Sequence, residues 1–170
     1  LINFLAVQPD MQVDLNVADR TVDLAEEGID LAIRVSGELD PNLYARKLGD
    51  CSSVVCASAA YLQKNGAPAS LSDLKTHNCL SYTYFGQSVW RFSKDGEALN
   101  VPVSGNLSTN EAAILLRATL LGAGIAILPL FAVENEIASG RLVALLPDYT
   151  VDRLTVSAVY LTHKQMPLAQ

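Results

Sequence analysis

Cysteine and histidine are scarce in this chain, and they lack the spacing of a metal site. The 170 residues include three cysteines, Cys51, Cys56 and Cys79, and two histidines, His77 and His163. No two cysteines have C-x-x-C spacing, and an odd number of cysteines cannot form a closed set of disulfides. We therefore expect neither a zinc site nor a disulfide framework, and we interpret the cysteines as small residues of the core.

Basic residues and catalytic motifs are also lacking. The chain has 12 Lys and Arg against 18 Asp and Glu, so its formal net charge is −6 at pH 7. This balance argues against nonspecific binding of this segment to a nucleic-acid backbone. No Gly-x-Ser-x-Gly elbow, ordered Ser/His/Asp set or metal-ligand spacing is present. Enzymatic function is therefore the weaker hypothesis, and we expect no cofactor and no membrane association.

The remaining composition is that of a folded domain. Half of the residues are hydrophobic and 18% are charged, which supplies a core and excludes a disordered chain. A chain of this length holds one ordinary domain or two small lobes that share a hinge. It begins inside a helical pattern at Leu1 rather than at a methionine, so we expect it to be a segment of a longer protein.

The stretch Asp19 to Ser36 carries the strongest local pattern. Its first part predicts a helix with Asp19 as N-cap and Gly28 as the stop. Asp30 to Val35 is a short apolar run, which predicts a strand covered on both faces. Met11 to Val17 alternates apolar and polar residues like a strand at a sheet edge. A strand, a helix and a strand in succession predict a right-handed parallel crossover.

Short elements fill the rest of the chain. Alternation around Trp90 and Phe92 favours a half-buried strand over aromatic stacking on a ligand. Gly122-Ala123-Gly124 follows a helix and enters a strand, the reverse of a phosphate-binding turn. The patterns predict helix caps at Ser58 and at Ser70 with Asp73, a hairpin turn at Asp95-Gly96, a helix capped by Thr109 or Asn110, a helix over Phe131 to Ala138, and strands over Ser53 to Ala57, Ile125 to Leu128, Arg141 to Leu146 and Leu154 to Leu161.

Several of these segments together resemble one known family, the effector-binding domain of LysR-type transcriptional regulators. The family carries a run like DRTVDLAEEGIDLAIRVG, then S-x-x-Y-L, W-x-F with DG, V-x-V-x-G-x-L-x-x-N, G-x-GIAxLP and G-x-LV-x-LLPDY. The corresponding segments here, in the same order, are Asp19 to Val35, Ser58 with Tyr61-Leu62, Trp90 with Phe92 and Asp95-Gly96, Val101 to Asn110, Gly122 to Pro129, and Gly140 to Tyr149. Mild departures lie at Ala59, where the family often has proline, and at Ser36-Gly37.

The resemblance implies an α/β, two-lobed fold of the type 2 periplasmic-binding-protein-like class, with a two-strand hinge and a small-molecule cleft. We expect lobe I over residues 1–54, lobe II over 55–154, and a return to lobe I over 155–170. The family's first strand and helix and its C-terminal helix are expected to be missing or cut. The resemblance also implies a cytoplasmic homodimer or tetramer that binds DNA only through an N-terminal helix-turn-helix, which nothing in this chain resembles. The alternative is a free-standing periplasmic solute-binding protein of the same fold.

The expected effector site is the cleft between the lobes. Free N–H groups at helix starts attract carboxylates, and a guanidinium at a strand end needs an acceptor, so a small, anionic metabolite is the expected ligand. Structural alternatives stay open: Asp19, Ser58 and Asn110 as plain caps, and an internal carboxylate as the partner of Arg34. The candidate effector-binding residues are Arg34, Val35, Ser36, Asp19 and Arg20 in lobe I, and Ser58, Thr109, Asn110, Glu111, Pro129 and Phe131 in lobe II.

Overall fold

The computed structural model describes residues 1–18, 20, 22–36, 43–83 and 88–161. This part of the chain folds into short helices and strands that alternate along the sequence. They are α1 (Ile2–Val7), β1 (Ala32–Ser36), β2 (Tyr44–Cys51), β3 (Ser53–Ser58), α2 (Ala59–Asn65), a 3₁₀ helix (Leu71–Thr76), β4 (Cys79–Tyr82), β5 (Val89–Lys94), β6 (Glu97–Pro102), β7 (Ser108–Thr109), α3 (Ala112–Leu120), β8 (Ile125–Pro129), α4 (Leu130–Ala138), β9 (Leu142–Leu145), β10 (Thr150–Val151) and β11 (Leu154–Tyr160).

The strands form three sheets. A first sheet has the order β1-β11-β2, and both of its pairings are antiparallel. A second, with the order β7-β4-β8-β3-β9, is mixed: β4 runs parallel to β7 and to β8, whereas β3 runs antiparallel to β8 and β9. The third is β10-β5-β6, in which the hairpin turn predicted at Asp95-Gly96 is confirmed, with both residues at positive φ.

The chain passes twice between the first sheet and the other two. The single residue Ser52 joins the end of β2 to the start of β3. Asp152 and Arg153 join β10 to β11. These two crossings are the expected two-strand hinge, while the expected lobe boundaries at residues 54 and 154 stay predictions.

The core lies on both faces of the five-stranded sheet, because its central strands β3 and β8 alternate their side chains between two apolar clusters. On one face Val55, Ala57 and Ile127 pack with Trp90 and Phe92 of the β5–β6 hairpin. The other face packs against helices α3 and α4 through a second cluster of buried residues, Cys56, Leu80, Leu115, Ala126, Leu128, Val133 and Leu142. The predicted burial of Trp90, of Phe92 and of the Ile125 strand is confirmed.

The prediction for residues 19–35 is wrong in two respects. In place of a helix, the described residues form one turn, in which the Asp23 carboxylate accepts from Ala25 N–H and Glu26 N–H. Gly28 closes that turn at φ +64, as expected. Strand β1 is antiparallel to β11 and open on one face, with Ile33 58% and Val35 48% exposed. The run of apolar residues thus marks an edge strand of a small sheet, not a strand buried on both faces.

The strand predicted at Met11 to Val17 does not form, so the predicted parallel crossover is also wrong. These residues are all described, and they have no ladder partner in the described part of the chain. Val13, Leu15 and Val17 are 42%, 65% and 83% exposed. Alternation favours an extended segment, but a strand also needs a neighbour for its hydrogen bonds.

Two of the predicted helix starts are confirmed. The Ser58 hydroxyl accepts from the N–H of Tyr61 and caps α2. The capping box of Ser70 and Asp73 begins the 3₁₀ helix. The N–H groups of Ser70 and Ala69 donate to the Asp73 carboxylate and hold its pKa below the ordinary value.

Candidate functional site

Several strands end at one edge of the five-stranded sheet. Because β4, β7 and β8 are parallel, their last residues Tyr82, Thr109 and Pro129 lie at the same edge. Strand β3 starts there too, since Ser53 pairs with Pro129. In the first sheet, Ser36 pairs with Thr155 beside the end of β2. The crossings join these two edges, so together they form the candidate site.

Helices α3 and α4 both begin at this edge. The cap of α3 is Glu111, whose carboxylate accepts from Ala113 N–H at 3.3 Å, and not Thr109 or Asn110 as predicted. The Thr109 hydroxyl accepts from Glu111 N–H at 3.1 Å. Helix α4 begins after Pro129 with no side-chain cap and no acidic residue in its first turn. Leu130 N–H donates to Ser52 O at 2.8 Å, and the N–H groups that follow it in the first turn give the edge a partial positive charge.

Phe131 lies in the first turn of α4 and is 69% exposed, so it is free to cover a ligand at this edge. Pro129 ends β8 and is half-buried. Asn110, between β7 and α3, is exposed. The structure thus brings the residues expected at 109–111, 129 and 131 to one edge of the five-stranded sheet.

The basic residues expected in lobe I have protein partners. Arg34 donates from Nη2 to the carbonyl oxygen of Val22 at 2.7 Å, which ties residues 22–30 to β1. Arg20 forms a two-bond ion pair with Glu27 at 2.7 and 3.0 Å. Because the Val22 carbonyl accepts this hydrogen bond, the Arg34 Nη2 donor does not need a ligand carboxylate as its acceptor. Its contact with an effector stays a prediction.

The other lobe I candidates are placed only in part. Ser36 ends β1 opposite Thr155, and Val35 is half-exposed on the same strand. Asp19, the predicted N-cap, lies outside the described residues. Ser36 is therefore the lobe I candidate whose backbone position is closest to the crossings.

Ser58 is not brought to this edge. It ends β3, whereas Ser53 at the other end of that strand pairs with Pro129. At about 3.3 Å per residue, the two ends of β3 are roughly 16 Å apart. Ser58 instead lines a shallow surface cavity of about 280 Å³ together with Arg117, Leu121 and Arg141. Its role in the structure is that of the α2 cap.

The sequence gives no signal for some residues of the candidate site. Thr155 lies at the candidate site because β11 pairs with β1. Its strand partner is Ser36, which is 119 positions away in the sequence. Ser53 and Thr83 stand at strand ends, and the Thr83 hydroxyl lies 3.4 Å from that of Ser108. Single polar residues at strand ends have no period or spacing that would distinguish them.

Cys51, Cys56 and Cys79 are free and buried. Burial raises the pKa of Cys56 and of Cys79 to about 12, and it raises the pKa of Cys51 as well. Over the described residues, no three His, Cys, Asp or Glu side chains cluster in a way that could hold a metal ion. In the same part of the chain, no helix has the length and apolar character needed to cross a membrane.

Comparison with known proteins identifies close sequence relatives. The family model described as "LysR substrate binding domain" matches residues 1–170. The HTH-type transcriptional regulator DmlR of Escherichia coli is 37% identical over 166 residues, which are 95% of this chain and 53% of that protein. The probable HTH-type transcriptional regulator LtrA of Klebsiella pneumoniae is 33% identical, over 88% of this chain and 48% of its own. The chain thus spans about half the length of these curated relatives.

Solved structures give the same fold. The regulatory domain of CrgA, a LysR-type transcriptional regulator from Neisseria meningitidis, is 32% identical and aligns with a TM-score of 0.83 over 99% of this chain and 83% of that one. Full-length AphB, a virulence activator of Vibrio cholerae, shares the fold at a TM-score of 0.85 with 23% identity. The α/β type 2 periplasmic-binding-protein-like fold expected from the resemblance is confirmed. The chain belongs to the LysR substrate-binding domain family.

Proposed function

We propose that this chain is the effector-sensing and dimerising part of a bacterial, cytoplasmic, DNA-binding transcription regulator of the LysR type, and that it has no enzymatic activity of its own. DNA would be bound through an N-terminal helix-turn-helix that residues 1–170 do not include. The named relatives are regulators, which favours this proposal over a free-standing periplasmic solute-binding protein.

One observation carries the sensing proposal: strand ends of two separate sheets and the starts of two helices meet at the crossings. Ligands of open α/β sheets bind at such edges. A small molecule bound there contacts both sheets, so its affinity depends on their relative orientation. It shifts that orientation only as far as it binds one arrangement more tightly than the other. In the whole regulator, this shift would change the angle between the DNA-binding parts.

The same edge favours an anion. Helices α3 and α4 both point their N-termini toward it, and α4 has no acidic residue or side-chain cap in its first turn. Partial positive charge at a helix N-terminus stabilises carboxylate and phosphate groups. We therefore propose a small organic anion as the effector, held by backbone N–H groups in the first turn of α4 and by the hydroxyls of Thr109 and Thr155 at the strand ends, with Phe131 covering its apolar part.

A thermal-shift screen tests the anion proposal. We expect at least one organic or aromatic carboxylate to raise the melting temperature, because a ligand at about 100 times its Kd stabilises the folded state by about 2.7 kcal/mol. Each acid should be run beside its uncharged carboxamide, and the amide should give less than half of the shift. Trp90 is the only tryptophan and is buried, so its fluorescence reports unfolding directly.

The variant Phe131→Ala tests whether a carboxylate binds at the candidate site or at another surface of the chain. We expect this variant to weaken binding of a carboxylate hit about tenfold or more, since it removes an aromatic contact from an exposed position. Val143→Ala, also an exposed apolar residue but in β9, is the matched control and should leave the affinity unchanged. Equal affinity in Phe131→Ala and the parent protein would contradict the placement of the effector at the α4 end of the site.

Dimerisation is proposed through two apolar surfaces that are exposed in the single chain. One is the outer face of α3 together with its C-cap, where Ile114 and Leu121 are 53% and 74% exposed on either side of Arg117. The other is the segment 11–17, with Val13, Leu15 and Val17 exposed beside Asp10 and Asp14. An antiparallel pair of chains would place each α3 against the partner's segment, opposing Arg117 to the aspartates. This pairing buries apolar surface that the monomer leaves in water.

Leu121→Asp tests this interface. We expect the variant to weaken dimerisation about tenfold or more in light-scattering measurements, because it puts a carboxylate in an apolar contact and next to the partner's aspartates. Phe131→Asp makes the same type of change on α4, outside the proposed interface, and should remain dimeric. A dimer of unchanged strength in Leu121→Asp, or a monomeric parent chain, would contradict the interface.

A further inference from the structure

Ser53 lies at the junction between the first sheet and the five-stranded sheet. It is the first residue of β3 and follows Ser52, the single residue that links the first sheet to the five-stranded sheet. Its strand partner Pro129 ends β8 at the same edge. Strand β3 also lies beside β10, which leads into the second crossing at Asp152 and Arg153. Ser53 thus stands between the two crossings, at the hinge.

The hydroxyl of Ser53 is buried and has no hydrogen-bond partner among the described residues. Other hydroxyls in this lobe are paired: Thr119 donates to Leu115 O at 2.8 Å, and Thr76 donates to Asp73 O at 2.8 Å. A buried hydroxyl without a partner destabilises the conformation that contains it. Native proteins contain few such groups, so this one calls for a physical reason.

The register explains why the strands do not satisfy this hydroxyl. Leu130 N–H donates to Ser52 O at 2.8 Å, one residue outside the Ser53–Pro129 pair. This bond makes Ser53 and Pro129 a non-hydrogen-bonded pair, in which the two side chains lie closest. Proline offers no N–H. By the alternation of β3, the Ser53 side chain is on the same face as Val55 and Ala57, which belong to the apolar cluster.

We look for a partner for this hydroxyl on the other side of the hinge, where Leu154, the residue after the second crossing, pairs with Cys51. The candidates are the polar groups of the second crossing, Asp152 and Arg153, whose side chains are exposed. Rotation about the two crossings changes their position relative to the start of β3. In the arrangement of the lobes that the structure has, the Ser53 hydroxyl is unpaired among the described residues.

We propose that Ser53 is a positioning residue for effector binding: its buried hydroxyl at the hinge is unpaired in this arrangement of the lobes and gains a hydrogen bond from the second crossing when the lobes rotate. This inference rests on the proposed effector-sensing function. The hydroxyl destabilises the described arrangement and so lowers the cost of the rotation that an effector stabilises. Ser53 itself does not contact the effector.

Melting temperatures of the ligand-free chain give the first test. Ser53→Ala removes the unpaired hydroxyl and should raise the melting temperature by about 2–6 °C. Ser53→Thr keeps the hydroxyl on a side chain suited to a strand and should melt within about 1 °C of the parent protein. A lower melting temperature for Ser53→Ala would show that the hydroxyl already has a partner, and would overturn the proposal.

Distances between the lobes give the second test, which needs no effector and can fail independently of the proposed function. Spin labels at Arg46→Cys in β2 and Glu97→Cys in β6, both exposed positions, report the relative orientation of the sheets by pulsed electron paramagnetic resonance. The native cysteines are buried and their raised pKa keeps them protonated, so they label slowly.

Two populations of distances are expected in the parent chain and in Ser53→Thr, and one in Ser53→Ala. A single distance in the parent chain, or identical distributions in the parent chain and Ser53→Ala, would overturn the role of Ser53 at the hinge. A carboxylate that binds the parent chain should bind Ser53→Ala about tenfold more weakly, because the variant no longer favours rotation. Loss of all carboxylate binding in the parent chain would instead count against the proposed effector and leave the distance result standing.

Discussion

Gly105→Ala should prevent this chain from folding or lower its melting temperature by about 10 °C or more. A Cβ atom at this position would lie 2.0 Å from the carbonyl oxygen and 2.7 Å from the carbonyl carbon of Cys79. Those atoms belong to the backbone of buried strand β4, so no side chain can rotate away. Overpacking of a core costs about 1–3 kcal/mol, and we expect a total of about 3–5 kcal/mol because hydrogen bonds are lost as well.

The hydrogen bonds at risk hold the segment before β7 against β4. Cys79 N–H donates to Ser104 O at 2.9 Å, and Asn106 N–H donates to the side-chain oxygen of Asn78 at 2.9 Å. Displacing Gly105 breaks both contacts and moves β7, whose end forms part of the candidate site. Thermal unfolding followed by Trp90 fluorescence measures the effect. The matched control is Gly49→Ala in β2, where a Cβ meets no atom within 4 Å and the melting temperature should change little.

An unchanged melting temperature in Gly105→Ala would contradict the packing of this segment on β4. The position also explains one element of the family resemblance. Gly105 is the glycine of the V-x-V-x-G-x-L-x-x-N run, which the sequence offers only as a pattern. In the structure, the reason for glycine is the close approach of two backbones, because its φ is not in the left-handed region.

Local patterns predicted the elements of the five-stranded sheet well. Strands at Ser53 and Ile125 are apolar on both faces because each supplies side chains to two clusters, and such a run is visible in sequence. The capping box of Ser70 and Asp73 is equally local, since it depends on groups three residues apart. Elements of this kind are defined by neighbours along the chain, and a sequence shows those neighbours directly.

The first sheet was predicted less well because its properties depend on distant residues. Strand β1 has the apolar composition of a central strand, yet among the described residues it pairs only with β11 and leaves Ile33 and Val35 exposed. The segment 11–17 alternates like a strand but has no ladder partner in the described part of the chain. Whether an apolar run becomes a central strand, an edge strand or an extended segment is decided by its neighbours in space.

In the candidate site, too, features that depend on neighbours in the sequence are predicted, whereas features that depend on neighbours in space are not. Residues 109–111, Pro129 and Phe131 follow predicted strands and reach the expected edge. A guanidinium at a strand end needs an acceptor, which makes Arg34 a candidate, but its acceptor is the Val22 carbonyl, from a turn where the sequence predicts a helix. The sequence predicts Ser58 as a helix cap facing the cleft, and the structure places it at the opposite end of β3 from the candidate site. The sequence predicts which residues have side chains suited to binding. Which edge of the sheet each strand end reaches depends on the strand order and direction, which the sequence does not show.

Phe92→Ala should lower the free energy of unfolding by about 3–5 kcal/mol, the cost of emptying a well-packed aromatic site. Phe92 is 1% exposed, and its ring packs edge-on against Trp90 and Tyr149 with centroid distances of 6.5 Å to each. It joins the β5–β6 hairpin to the five-stranded sheet through the apolar cluster. Urea unfolding monitored by circular dichroism measures the change independently of Trp90, whose fluorescence would itself respond to the loss of the neighbouring ring.

Phe131→Ala is the matched control, and the comparison also sharpens the effector experiment. Its ring is 69% exposed, so removing it should change the free energy of unfolding by no more than about 0.5 kcal/mol. A loss comparable to that of Phe92→Ala would show that Phe131 is part of the core and would remove it from the site. If stability is unchanged while carboxylate binding is weakened, the loss of binding cannot come from partial unfolding. The weaker carboxylate binding of Phe131→Ala would then result from the lost contact between the Phe131 ring and the ligand.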